Sequence, residues 1–308
     1  MVPLSTARVA PLHSHATRLP SAALVLVAAL IAVLGCRQIA TAPAWNAALL
    51  ETAALTAPMP WSTSEGLPDR TVIQAGQLVI HADFPLAGQH RLIRDLETLR
   101  ADVSQQLALP ISDEPVHLYL FEQPARYDAF AARQFPNFPV RRAFFVETDT
   151  TLSVFAAWQD RIAEDLRHET THGYVHAVVP TLPLWLDEGI AEYFELPRGA
   201  QGVHREHVAH IAGRLLEGTC RIDMERLEAL QSAGELSQDH YAEAWCWVHW
   251  LLHTTPSRRR VLQDYLTDLR RDGQTAPLSA RLAHYEGPPA TCAAAVRAHV
   301  EALSAADD

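Results

Sequence analysis

The run with the clearest chemistry in this chain is His168-Glu169-Thr170-Thr171-His172. On a helix, histidines at i and i+4 project from one face, so both imidazoles can hold one metal ion. Glu169 sits one step round from His168. From there a carboxylate reaches a metal-held water without being a ligand itself. Zinc lowers the pKa of such a water to about 7, so Glu169 is the expected general base and His168 and His172 the expected ligands. A catalytic zinc takes three protein ligands and keeps a position for water, so a third donor must come from elsewhere. Trp185-Leu-Asp-Glu-Gly-Ile-Ala-Glu-Tyr-Phe-Glu195 offers carboxylates, with Glu188, Glu192 and Asp187 all in contention. His176 continues the histidine stripe. Residues i and i+8 lie about 12 Å apart on a straight helix, so His176 reads as a pocket wall or structural residue.

These side chains need helices to present them. The apolar pattern predicts a helix from Asp160 to Val178, stopped by Pro180, and another from Leu184 to Glu195, stopped by Pro197. Upstream, strands are expected at Gln77–His81 and Val116–Phe121. Arg142–Val146 and Leu152–Phe155 form an expected hairpin, and helices are expected over 89–107 and 125–134. Downstream, helices are expected near 203–216, 223–232, 239–253, 257–271 and 289–303. Strands first and helices afterwards argue for an α+β domain over 69–308: a sheet plus active-site helix at 69–180 and a helical lobe at 181–308.

Composition removes several alternatives. The net charge is −11 over 308 residues, which disfavours a nucleic-acid partner. All 25 basic residues are arginine. Schiff-base chemistry, a Walker-type lysine and a lysine general base are therefore excluded. Residues 1–35 read as an export signal: Arg8 and Arg18, then an apolar run from Ser21 to Leu34 too short to span a membrane. Val33-Leu34-Gly35-Cys36 resembles the lipobox of bacterial lipoproteins, which makes Cys36 the expected lipidation site and 36–68, rich in Ala, Pro, Thr and Ser, a flexible tether. Of the other cysteines, Cys220 with Cys292 is the one plausible disulfide, and Cys246 reads as a buried thiol.

The run from His168 to Glu195 resembles the gluzincin zinc peptidases, and most of all the poorly characterised bacterial peptidase-MA-like families. Their second helix carries Trp-Leu-x-Glu-Gly-x-Ala, matched here by Trp185 to Ala191. The resemblance implies a zincin-like fold and makes Glu188 the zinc ligand. It places Glu192, one turn on, in the shell behind the metal as the carboxylate that orients a zinc histidine. It also makes Tyr241, in the opening turn of Asp239-His-Tyr-Ala-Glu-Ala-Trp-Cys-Trp-Val-His-Trp250, the donor to the oxyanion, with His240 as rival. The 15 residues between His172 and Glu188 are fewer than in the better-known branches. No Gly-x-Met-Glu-Asn run is present to hold a free N-terminus, which favours an endopeptidase over an aminopeptidase. The implied protein is an exported, lipid-anchored bacterial enzyme with one Zn2+ per chain and a peptide or protein substrate, bound by strand addition at 142–146. The rival readings are a lipid-anchored binding scaffold and a zinc hydrolase of another bond.

Overall fold

The computed structural model describes residues 66–136 and 141–306, all within one compact unit. The expected signal, Cys36 and nearly all of the tether lie outside the described residues.

Five strands make one mixed sheet: β1 (Thr71–Ala75), β2 (Leu78–Ala82), β3 (Val116–Phe121), β4 (Ala143–Glu147) and β5 (Leu152–Ala157). Their order is β1-β2-β3-β5-β4. β2, β3 and β5 run parallel, while β1 and β4 are antiparallel flanks. Parallel neighbours need crossovers. α1 (Arg91–Leu107) connects β2 to β3, and α2 (Pro124–Gln134) lies between β3 and β4. β1 is not among the expected strands. It is a five-residue edge strand in which only Ala75 is buried, so it shows no clear alternation of buried and exposed side chains.

Strand alternation sorts the side chains onto two faces. Leu78, Ile80, Leu118, Val154 and Phe145 join the main core, and Phe121, Phe144 and Phe155 pack with Tyr127 and Phe130 of α2. β4 is therefore buried on both sides although it is the last strand of the sheet.

The helix carrying the histidine pair, α3 (Ile162–His176), rests on the main-core face. Gly173 makes this approach possible: a Cβ there would sit 2.7 Å from Val116 Cγ1 on β3. Glu164 and Asp165 lie in the first turn, where they complement the helix dipole. Asp165 also takes a bidentate bond from Arg142, at 3.1 and 2.6 Å. After Pro180 and Pro183 the chain turns into α4 (Leu184–Phe194), which packs against α3.

The rest is helical: α5 (Arg205–Leu216), α6 (Met224–Glu228), α7 (Gln238–His253), α8 (Pro256–Asp272), α9 (Leu278–Glu286) and α10 (Pro289–Ala305). α6 is shorter than the expected 223–232, and α9 is unexpected. α7 is the spine of this lobe, with Trp245, Trp247 and Trp250 all buried. It crosses α4 at Gly189, where a Cβ would meet the Ala244 carbonyl oxygen at 2.6 Å. The expected Cys220–Cys292 bridge is not formed. Both are free thiols, and Cys246 is a buried one. Among the described residues, no helix is long and apolar enough to cross a membrane.

Candidate metal centre

α3 and α4 bring the expected ligands together. His168 Nε2 lies 3.2 Å from His172 Nε2. Glu188 Oε2 lies 3.6 Å from the first and 3.9 Å from the second. All three residues are buried. A tetrahedral ion with bonds of about 2.0–2.1 Å separates its ligand atoms by about 3.3 Å, so these three edges fit one small cation.

The outer nitrogens explain why the inner ones converge. His172 Nδ1 donates to Asp187 Oδ1 at 2.9 Å, and His168 Nδ1 to Glu195 Oε2 at 2.9 Å. An ionised carboxylate only accepts, so each histidine carries its proton on Nδ1 and turns an Nε2 lone pair inward. Two lone pairs and a carboxylate oxygen then face one another in a buried space, which is a cation-binding arrangement. Without a cation, the proton is the substitute. Burial opposes charge on His168, but Glu188 and Glu195 outweigh it and hold its pKa well above the ordinary value.

Glu169 lies beside the pair, buried on α3. Burial raises its pKa, and His168, His172 and Arg141 pull the other way. Phe145 of β4 stacks on His172 with ring centroids 5.9 Å apart, tying the metal-facing helix to the outer strand. His176 stands outside the donor set. It bonds Asp187 Oδ2 at 3.0 Å and Glu147 Oε2 at 2.6 Å. Despite burial, these two acids push its pKa up to about 10.

The placement of Glu192 differs from the expectation. The carboxylates behind the two ligand histidines are Asp187 and Glu195, whereas Glu192 Oε2 bonds His207 Nε2 at 2.7 Å. Glu188, Glu192 and Glu195 share one stripe of α4 at i, i+4 and i+7. The crossing of α3 over α4 sets the end of the stripe, rather than its middle, against His168. Tyr241 is buried in the first turn of α7, on the face with Ala244 and Val248 that meets Gly189, next to Glu188. His240 turns away from that face, bonding Arg226 and closing a capping box with Ser237.

Sequence reasoning does not single out Glu195, His204, His207 or Glu147. The i+7 position of Glu195 is the one signal that could have found it. Three further groups also have metal-compatible spacing: His172, His176 and Asp187; Glu192, His204 and His207; and His168, Glu192 and Glu195.

What these elements define is a buried cluster of histidine and glutamate able to hold a metal ion. Residues 162–273 match a family described as a protein of unknown function, DUF1570. The matched stretch runs from the start of α3 to the residue after α8, so it contains both ligand helices and α7 but none of the sheet. No curated protein matches the chain.

Proposed function

We propose that this chain is a zinc-dependent peptidase of the gluzincin type, peptidase-MA-like in character, with a zincin-like fold. His168, His172 and Glu188 would hold the ion. The observation that carries this is the convergence of two Nε2 lone pairs and one carboxylate oxygen with a buried glutamate at the next position on the same helix. Two nitrogens and one oxygen suit zinc. When bound, zinc supplies Lewis acidity and a water acidic enough to ionise near neutral pH.

The chain's own residues supply the rest. Glu169 takes the proton of the attacking water and passes it to the leaving amine. Its burial favours such shuttling, because it raises the carboxyl toward working pH. Tyr241 is the proposed donor to the developing oxyanion. β4, at the end of the sheet order and packed on α3, is the proposed edge on which an extended substrate adds as a strand. Export and lipid anchoring through Cys36 belong to the same proposal. Loss of lipid label and of membrane association in Cys36→Ser tests that part.

The test of the chemistry compares parent and Glu169→Gln protein for zinc content and for cleavage of a quenched-fluorescent peptide library. The expected result is about one zinc per chain in both and cleavage in the parent only. Full cleavage by Glu169→Gln would end the reading.

A further inference from the structure

His204 stands two bonds from the metal centre. It is the N-cap of α5: its Nδ1 accepts the backbone N–H of His207 at 3.3 Å. A neutral imidazole that accepts at Nδ1 carries its proton on Nε2. That Nε2 lies 2.9 Å from Glu195 Oε1. The other oxygen of the same carboxylate, Oε2, takes the Nδ1 proton of His168. Glu195 therefore bridges two histidines, one facing the candidate metal and one fixed to the start of another helix.

Glu195 needs such a clamp because of where it sits. It is the C-cap residue of α4, and helix ends fray. Its backbone carbonyl is held by Arg167, which also pairs with Asp95 at 2.8 Å. That bond fixes the main chain and leaves the carboxylate rotation open. His204 fixes the rotation.

The neighbouring His207 raises the question of whether Glu192, His204 and His207 form a second metal site. Ring geometry argues against it. The two imidazoles stack with centroids 3.8 Å apart and planes tilted by only 22°. A metal binds in the plane of each ring at about 2 Å, and planes so nearly parallel converge far beyond that reach. The lone pair His204 would need at Nε2 is also absent while Nδ1 serves as the cap.

We infer that His204 is a positioning residue for the metal centre: through Glu195 it sets the orientation of His168, and it holds no metal itself. The inference rests on the metal-site reading above.

The experiment measures zinc affinity by competition with a chromophoric chelator, and zinc stoichiometry, for the parent, His204→Leu, His204→Gln, His207→Leu and His168→Ala. Leucine removes both nitrogens of His204. Glutamine also loses the cap acceptor but can place an N–H donor where Nε2 stands. Both variants therefore lose the cap and melt lower, while the two should separate in zinc affinity. The expected result is one zinc per parent chain, affinity about 10–100-fold weaker in His204→Leu, and recovery of most of that loss in His204→Gln. Equal affinity in the parent and His204→Leu would overturn the inference and leave the metal site standing. So would equal weakening in both His204 variants, which would mean that the cap alone matters. Two zinc ions per chain, falling to one in His207→Leu, would replace it with a second metal site. A parent that binds zinc no better than His168→Ala would overturn the metal site and the inference together.

Discussion

Acid should loosen this protein at a histidine cluster outside the candidate metal's donor set. His249 and His253 of α7 stack with centroids 4.4 Å apart, and His249 Nδ1 lies 2.8 Å from His299 Nε2 of α10. His253 Nε2 bonds the Tyr193 hydroxyl of α4 at 2.6 Å, so the imidazoles join three helices. Burial, then His253 and His299, bring His249 down to about 3. Burial, then His253 and Arg258, bring His299 down to about 4. Burial and Arg259 lower His253 as well. A histidine whose folded pKa lies below its unfolded value of about 6.5 stabilises the fold while neutral and loses that contribution as pH falls. The loss begins near 6.5 and levels off only near the folded pKa values, about 3 and 4. At pH 5 each group has moved about 1.5 units into this window, at about 1.4 kcal/mol per unit. That is about 2 kcal/mol for His249; His299 is more exposed, so solvent screening reduces its share below the same figure, and the interacting pair is worth about 2–4 kcal/mol. Set against a typical stability of about 5–15 kcal/mol, this is a large fraction. Urea unfolding at pH 7.5 and pH 5.0 measures it, with the His249→Gln/His299→Gln protein alongside. The comparison cancels groups common to both, such as Glu243, which burial raises to about 7 and which gains stability over the same range. The parent should lose about 2–4 kcal/mol more than the variant. Equal losses in the two proteins would refute the reasoning.

Three substitutions on α4 test the roles and the packing assigned there. Glu188→Ala should abolish stoichiometric zinc binding, while Glu192→Ala, which removes the partner of His207, should retain most of it; metal analysis after dialysis reads both, and the reverse pattern would exchange the two glutamates. Gly189→Ala should destabilise by about 3 kcal/mol or more, the upper end for overpacking, because the added methyl meets a backbone carbonyl that cannot swing aside. A melting temperature within 2 °C of the parent would show that α4 and α7 can part at little cost.

The contrast between α3 and α4 shows what a linear sequence carries. The histidine helix was legible because its evidence is local: an i, i+4 pair, an apolar stripe and a stop at Pro180. The expected α+β order was legible for the same reason, and so was the place of Glu188 on a second helix. The partners of the outer histidine nitrogens depend on how α3 crosses α4, and spacing does not encode that angle. The one-turn rule points to Glu192, yet the structure puts Glu195 behind His168 and Asp187 behind His172. His204 and His207 were harder still. They follow a turn and a short 3-10 segment, Arg198–Ala200, and reach the site only because α5 packs back beside α4's end. The strand β1 escaped because only one of its five side chains is buried, and the helix α9 because only Leu278 and Leu282 mark its buried face.

The charge pattern of α4 suits this cluster to a metal ion. Asp187, Glu188, Glu192 and Glu195 are all buried along α4, from its first turn to its C-cap. Buried carboxylates are tolerated when opposite charge or hydrogen-bond donors meet them. Asp187 is met by His172 and His176, Glu192 by His207, and Glu195 by His168 and His204. The bonds to Asp187 and Glu195 each use a ring proton, because burial is outweighed there and both acids stay ionised. Because His168 and His172 direct their protons outward, to Glu195 and Asp187, the sides they turn toward Glu188 are acceptors when neutral. Glu188 completes a set of three acceptors at 3.2, 3.6 and 3.9 Å from one another. A divalent cation answers all three at once, whereas an added proton answers them in part and leaves two rings competing for it. The same outward bonds that satisfy the neighbouring acids therefore prepare the inner space for a metal.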